Sequence, residues 1–161
     1  IFETDLFLPV TEMLPQTLDQ RIQRIIADHT RAIVFMSSDG IVPSNKHQGY
    51  ILRRLMRRLI VHQKLNYDRG DKINDLYKIF DKVIKEYKQY YNNLDDRLVA
   101  DIFMEEAEKF SKTLERGLKE LEKLSSIDAI SAFKLYESYG LPYEINKDLG
   151  GEKATTLTRE K

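Results

Sequence analysis

Two pairs of arginines, four residues apart and with no acid near them, are the most chemically suggestive feature of this sequence. Between residues 43 and 64 stand Lys46, Arg53, Arg54, Arg57, Arg58 and Lys64, without one Asp or Glu. The remainder of the chain carries 20 bases against 26 acids, so a molecule of zero formal charge concentrates its cations on one element. On a helix, Arg53, Arg54, Arg57 and Arg58 share one side, while Leu52, Leu55, Met56 and Leu59 take the other. Like charges at this spacing repel by about 0.2–0.5 kcal/mol per pair. The repulsion must be relieved by acids from another element or by an external anion. Arg rather than Lys favours forked contacts to phosphate. A Pro-Ser-Asn turn (residues 43–45) precedes this helix, and a helix start offers free N–H groups to an anion.

Other chemistry is thinner. His29, His47 and His62 lack metal-ligand spacing. Asp28, Glu105 and Glu106 stand as single acids on helices and make no acid/base pair. No glycine-rich phosphate loop and no nucleophile elbow is present. The residues therefore assign no catalytic centre, no metal site and no cofactor to this chain.

The elements that must position these residues read as helices. Thr4 and Asp5 start a short first helix that Pro15 ends, and Thr17 with Gln20 forms a capping-box pattern for the second. Leu18, Ile22, Ile25, Ile26, His29, Ile33 and Met36 then hold one helical face. Residues 37–44 (SSDGIVPS) are turn chemistry, and a third helix is predicted over residues 47–63. Ile73, Leu76, Tyr77, Phe80, Val83, Ile84 and Tyr87 mark a fourth. One long helix is predicted over residues 94–124, with a stripe of Leu98, Ile102, Phe110, Leu114, Leu118 and Leu121. Ser125 and Asp128 open the last helix, and Gly140 before Pro142 stops it. No period-two run competes. The fold expected is all-α: a single helical domain of about six helices, one of them long. Its bounds are residues 1–148, with a frayed C-terminal linker over 149–161.

With 42% hydrophobic residues the chain has too much apolar content for a disordered segment. It has no cysteine, which excludes a disulfide framework and thiolate metal sites. No apolar run reaches the roughly 20 residues of a spanning helix. The chain starts at Ile1 rather than Met, and is read as a piece of a longer protein.

Three stretches resemble the alanyl-tRNA synthetase family: IIADHTRAIVFMSSDGIVPSNKHQGYILRRLMRR (residues 25–58), FETDLF (residues 2–7) and AFKLYESYGLPYEI (residues 132–145). They occur in the family's order and spacing across nearly the whole chain. The resemblance implies the helical tRNA-recognition region that follows a class II catalytic domain. It implies a cytoplasmic parent enzyme that joins alanine to its tRNA, with ATP and magnesium bound upstream of this chain and an editing domain downstream. This piece would bind the acceptor stem of tRNA(Ala) and would be inactive alone.

The resemblance further implies that the region reads a G·U wobble pair. A-form RNA exposes a wide, shallow minor groove, and the guanine 2-amino group of a wobble pair lies there without a pairing partner. Asn45 and Glu137 would be the base readers, while Lys46, Arg53, Arg54, Arg57 and Arg58 would grip phosphates. Two departures from the family pattern stand out. Glu137 occupies a position usually Asp, and His47-Gln48 replaces a segment that usually carries an arginine.

Read on their own, the residues leave simpler alternatives. Asn45 could cap its helix and Glu137 could pair with Lys134. The arginines could be a surface neutralised by the acid-rich helix at residues 95–122, making the chain a helical interaction or structural module. A general DNA binder or an anionic membrane surface would also suit a basic helix.

Overall fold

A computed structural model describes residues 2–68 and 76–154 of the chain. Among the described residues it is all-α, with seven α-helices, a final 3-10 turn and no strand. These are α1 (Leu8–Thr11), α2 (Gln20–Ser38), α3 (His47–Asp68), α4 (Leu76–Tyr87), α5 (Asp96–Lys123), α6 (Ala129–Tyr139) and α7 (Tyr143–Gly150). The contacts fall into two compact units, Ile1–Glu106 and Ala107–Lys161.

In the first unit α2 packs against α1, α3 and α4. The apolar stripe of α2 puts Ile26, Ile33 and Val34 out of solvent, and α3 meets it with Leu52, Met56 and Leu59. From α4 come Ile79, Phe80 and Val83, and from α5 Val99, Ile102 and Phe103. Each such side chain contributes about 1.5–3 kcal/mol through removal from water. Asp19 caps α2, its carboxylate accepting from the backbone N–H of Arg21 and Ile22. That corrects the expectation for Thr17. The physical reason is Leu18, which is buried and holds the chain so that the helix opens only after it.

In the second unit Phe110, Leu114 and Leu121 of α5, Ile127 in the following loop, Leu135 of α6 and Leu141 and Ile145 further on make the core. Gly117 is required by packing: a Cβ there would lie 2.8 Å from Tyr139 Cβ and 3.0 Å from Leu141 Cδ1. Asp128 and Ser131 form a reciprocal capping box on α6, one turn beyond the expected pairing with Ser125. Those hydrogen bonds from Ser131 hold the Asp128 carboxyl below its ordinary range. Gly140 ends α6 in the left-handed region at φ 65°.

Two further expectations need correction. Leu98 is exposed, because Val99, Ile102 and Phe103 carry the buried face of early α5. Residues 149–154, expected to fray, instead finish α7 and form a 3-10 turn. There Ala154 is buried, and the backbone N–H of Ile127 donates to the carbonyl oxygen of Lys153 at 2.7 Å. Ile73 and residues 155–161 lie outside the described residues.

Candidate nucleic-acid interface

The turn from α2 into α3 is built by close approach. The Ser44 N–H donates to the Gly49 carbonyl oxygen at 3.0 Å, so the chain folds back across the first turn of α3. A Cβ on Gly49 would lie 2.3 Å from Ser44 Oγ and 2.5 Å from the Val42 carbonyl oxygen, which is why glycine stands there. Ser44 Oγ donates to the Lys46 carbonyl oxygen at 2.9 Å and accepts from the Lys46 N–H at 3.3 Å. His47 enters the helix at φ 50°, a left-handed conformation uncommon outside glycine. The result is a tight loop whose tip, Asn45 to Gln48, is exposed.

Asn45 does not cap α3. Its side-chain oxygen accepts a hydrogen bond from Arg53 Nη1 instead. Among the described residues its Nδ2 makes no hydrogen bond. The amide therefore presents two N–H donors to solvent at the tip of the loop.

Arg53 is spread over three partners. Besides Asn45, its Nη2 donates to the Pro43 carbonyl oxygen at 3.2 Å and its Nε to Glu106 Oε2 at 3.3 Å. The other oxygen of Glu106 accepts from Arg57 Nε at 2.7 Å. Glu106 is only 3% exposed, while the two arginine side chains are 23% exposed. One buried carboxylate thus serves two guanidinium groups, and the trio keeps a net positive charge. Charge-assisted bonds to both oxygens offset the cost of burying the acid.

Arg58 turns elsewhere. Its Nη1 lies 3.4 Å from His29 Nε2, and His29 Nδ1 lies 3.1 Å from Asp28 Oδ2. An arginine can only donate, so His29 accepts at Nε2 and carries its proton at Nδ1, facing Asp28. The four arginines therefore do not form one solvated face. Arg53 and Arg57 engage α5, Arg58 engages α2, and Arg54 is half-buried. Lys46 is exposed.

Glu137 stands on the exposed side of α6 in the second unit. Among the described residues it makes no hydrogen bond and no ion pair, Lys134 included. The structure thus joins Asn45 and Arg53 directly and links Arg57 to them through Glu106, while Glu137 belongs to a separately packed unit. Tyr136, on the same helix, is 38% exposed.

In the sequence Glu106 stands as a lone acid. It falls on the face of α5 that carries Ile102, Phe103 and Phe110. An acid on an apolar face must find cations there, and an arginine pair four apart supplies them.

Among the described residues no group of three or more His, Asp or Glu could hold a metal ion. No described helix is long and apolar enough to cross a membrane.

Comparison with known proteins is decisive about descent. The family model described as tRNA synthetases class II (A) matches residues 1–161. The alanine–tRNA ligase of Fusobacterium nucleatum is 34% identical, covering 99% of this chain and 20% of its own length. That of Fervidobacterium nodosum is 37% identical over 97% of this chain, and that of Thermotoga maritima 36% over 97%. The chain spans about a fifth of the length of these curated relatives.

Proposed function

This chain belongs to the alanyl-tRNA synthetase family of class II tRNA synthetases, and we propose that it is the helical part that grips the acceptor stem of tRNA(Ala) and reads its G·U pair. The observation that carries this reading is the exposed Asn45 amide, fixed on a braced loop beside a cationic cluster. With its oxygen engaged by Arg53, Asn45 offers donors, which suit the uracil carbonyl oxygen in the minor groove. Glu137 supplies the acceptor that the guanine 2-amino group requires. Lys46, Arg54, Arg57 and Arg58 provide phosphate contacts, which fix register without reading sequence. The parent enzyme joins alanine to tRNA in the cytoplasm at the expense of ATP. Its ATP and magnesium chemistry belongs to a catalytic domain, and this stretch alone performs no aminoacylation.

A second reading has one observation in its favour. Glu106 neutralises part of the arginine cluster from within, as an interaction or structural module would have it. Titration of an acceptor-stem hairpin at rising salt separates the two. RNA recognition requires affinity to fall steeply with salt, because phosphate binding releases counterions. Arg54→Ala should weaken binding equally for every stem and reduce the salt slope by about one. Absence of binding at low salt would leave the interaction module standing.

A further inference from the structure

We propose that Arg53 and Glu106 are positioning residues for base reading: Glu106 orients Arg53, and Arg53 holds the Asn45 amide with its N–H donors outward. The inference deepens the reading above and rests on it for the RNA part alone.

An asparagine side chain has two faces of nearly equal shape and opposite chemistry. Turned one way, Asn45 offers donors to a base edge; turned the other way, it offers an acceptor. A reader that must meet a carbonyl oxygen gains from having that choice made before the RNA arrives. Arg53 makes it, since a guanidinium only donates and so selects the Asn45 oxygen. The guanidinium is itself constrained. Its three nitrogens go to three different acceptors: Asn45 Oδ1, the Pro43 carbonyl oxygen and Glu106 Oε2. The Pro43 contact ties it to the same loop that carries Asn45. Glu106 is in turn fixed by burial and by Arg57 on its second oxygen. A chain of bonds therefore runs from the buried face of α5 to the exposed tip of the α2–α3 loop. It gives Arg53 a duty different from gripping phosphate.

Two substitutions test this without removing the reader. Arg53→Lys keeps the charge but replaces the three-way fork with a single ammonium. Glu106→Gln keeps the shape, yet its amide nitrogen faces an arginine N–H and loses one of the two bonds. Thermal melts screen both variants for folding, and Arg53→Lys alone suffices should Glu106→Gln unfold. The first readout needs no RNA: the Asn45 side-chain amide signals in a proton–nitrogen correlation spectrum, identified by their loss in Asn45→Ala. In both variants they should move towards the positions of a free asparagine amide, while those of Asn146 in the second unit stay in place. Unmoved Asn45 signals would overturn the proposal.

The second readout is the affinity ratio for G·U against G·C hairpins. Each variant should lose about the tenfold preference that Asn45→Ala loses, with the salt slope unchanged. Adding Asn45→Ala to either should cost no further preference. If Arg53→Lys instead weakens both hairpins equally, with the G·U preference intact, Arg53 is a phosphate ligand and the proposal fails. A wild-type chain with no G·U preference would sink the base-reading function, and the amide spectrum would still decide the positioning role.

Discussion

Asn45 and Glu137 are both exposed side chains assigned to base reading, yet their surroundings differ completely. Asn45 sits on a loop pinned by Gly49, Ser44 and Arg53, with Glu106 behind them. Glu137 projects from the exposed side of α6 and makes no hydrogen bond or ion pair among the described residues. The contrast separates two ways of presenting a recognition group. One is held in advance, so its function depends on residues that never touch the ligand. The other depends on its own helix alone, so its replacement should act on the ligand and leave the fold intact.

The largest expected effect lies behind Asn45. Glu106→Ala would remove the buried carboxylate that Arg53 and Arg57 share, and should cost about 3–5 kcal/mol in denaturant unfolding. A loss below about 1 kcal/mol would mean that the buried acid is not the brace described. Next comes Gly49→Ala, which forces a Cβ onto backbone and should cost about 1–3 kcal/mol by the same measurement. Glu137→Gln marks the other side of the comparison. Its stability change should stay within about 0.5 kcal/mol, while its G·U preference falls. A large loss of stability would show that Glu137 is structurally engaged after all.

The smallest effect concerns the start of α6, the helix that carries Glu137. The Asp128 carboxyl titrates below its ordinary value of 3.8 because the ionised form accepts hydrogen bonds from Ser131. Its contribution is therefore present above the unfolded value and is lost as pH falls through the lowered one. The protection of the Ser131 amide, its exchange rate relative to the intrinsic rate at the same pH, should fall below about pH 4, and much less so in Asp128→Asn, whose cap does not titrate. An equal fall in both would remove the cap from the account.

How much of this was legible in the sequence depended on the length scale of each cause. Helical periodicity is local, so α2, α3 and α4 stand close to where their apolar stripes put them. Cap identity was less legible. Thr17, Asp19 and Ser125 are all competent polar residues, and the burial of Leu18, a tertiary fact, decided for Asp19. At α6 the Ser131 hydroxyl does the work usually given to Glu in a capping box, so the residue order carries no standard capping-box pattern there. The candidate site divided in the same way. The acid-free arginine run and the Asn45 turn were plain in the residue order. The role of Glu106 was not, because it pairs with residues 53 and 49 positions away. Its one local sign was an acid on an apolar helical face.

The central claim is that the Asn45 amide reads the wobble pair. Fluorescence anisotropy should be measured with two acceptor-stem hairpins that differ only in G·U against G·C, at low and moderate salt, for wild type and Asn45→Ala. The account predicts tighter G·U binding by wild type, worth about 1–3 kcal/mol, which Asn45→Ala abolishes while the salt slope stays the same. A loss from Asn45→Ala that is equal for both hairpins would contradict it, reducing Asn45 to a backbone contact and the arginine helix to a phosphate grip.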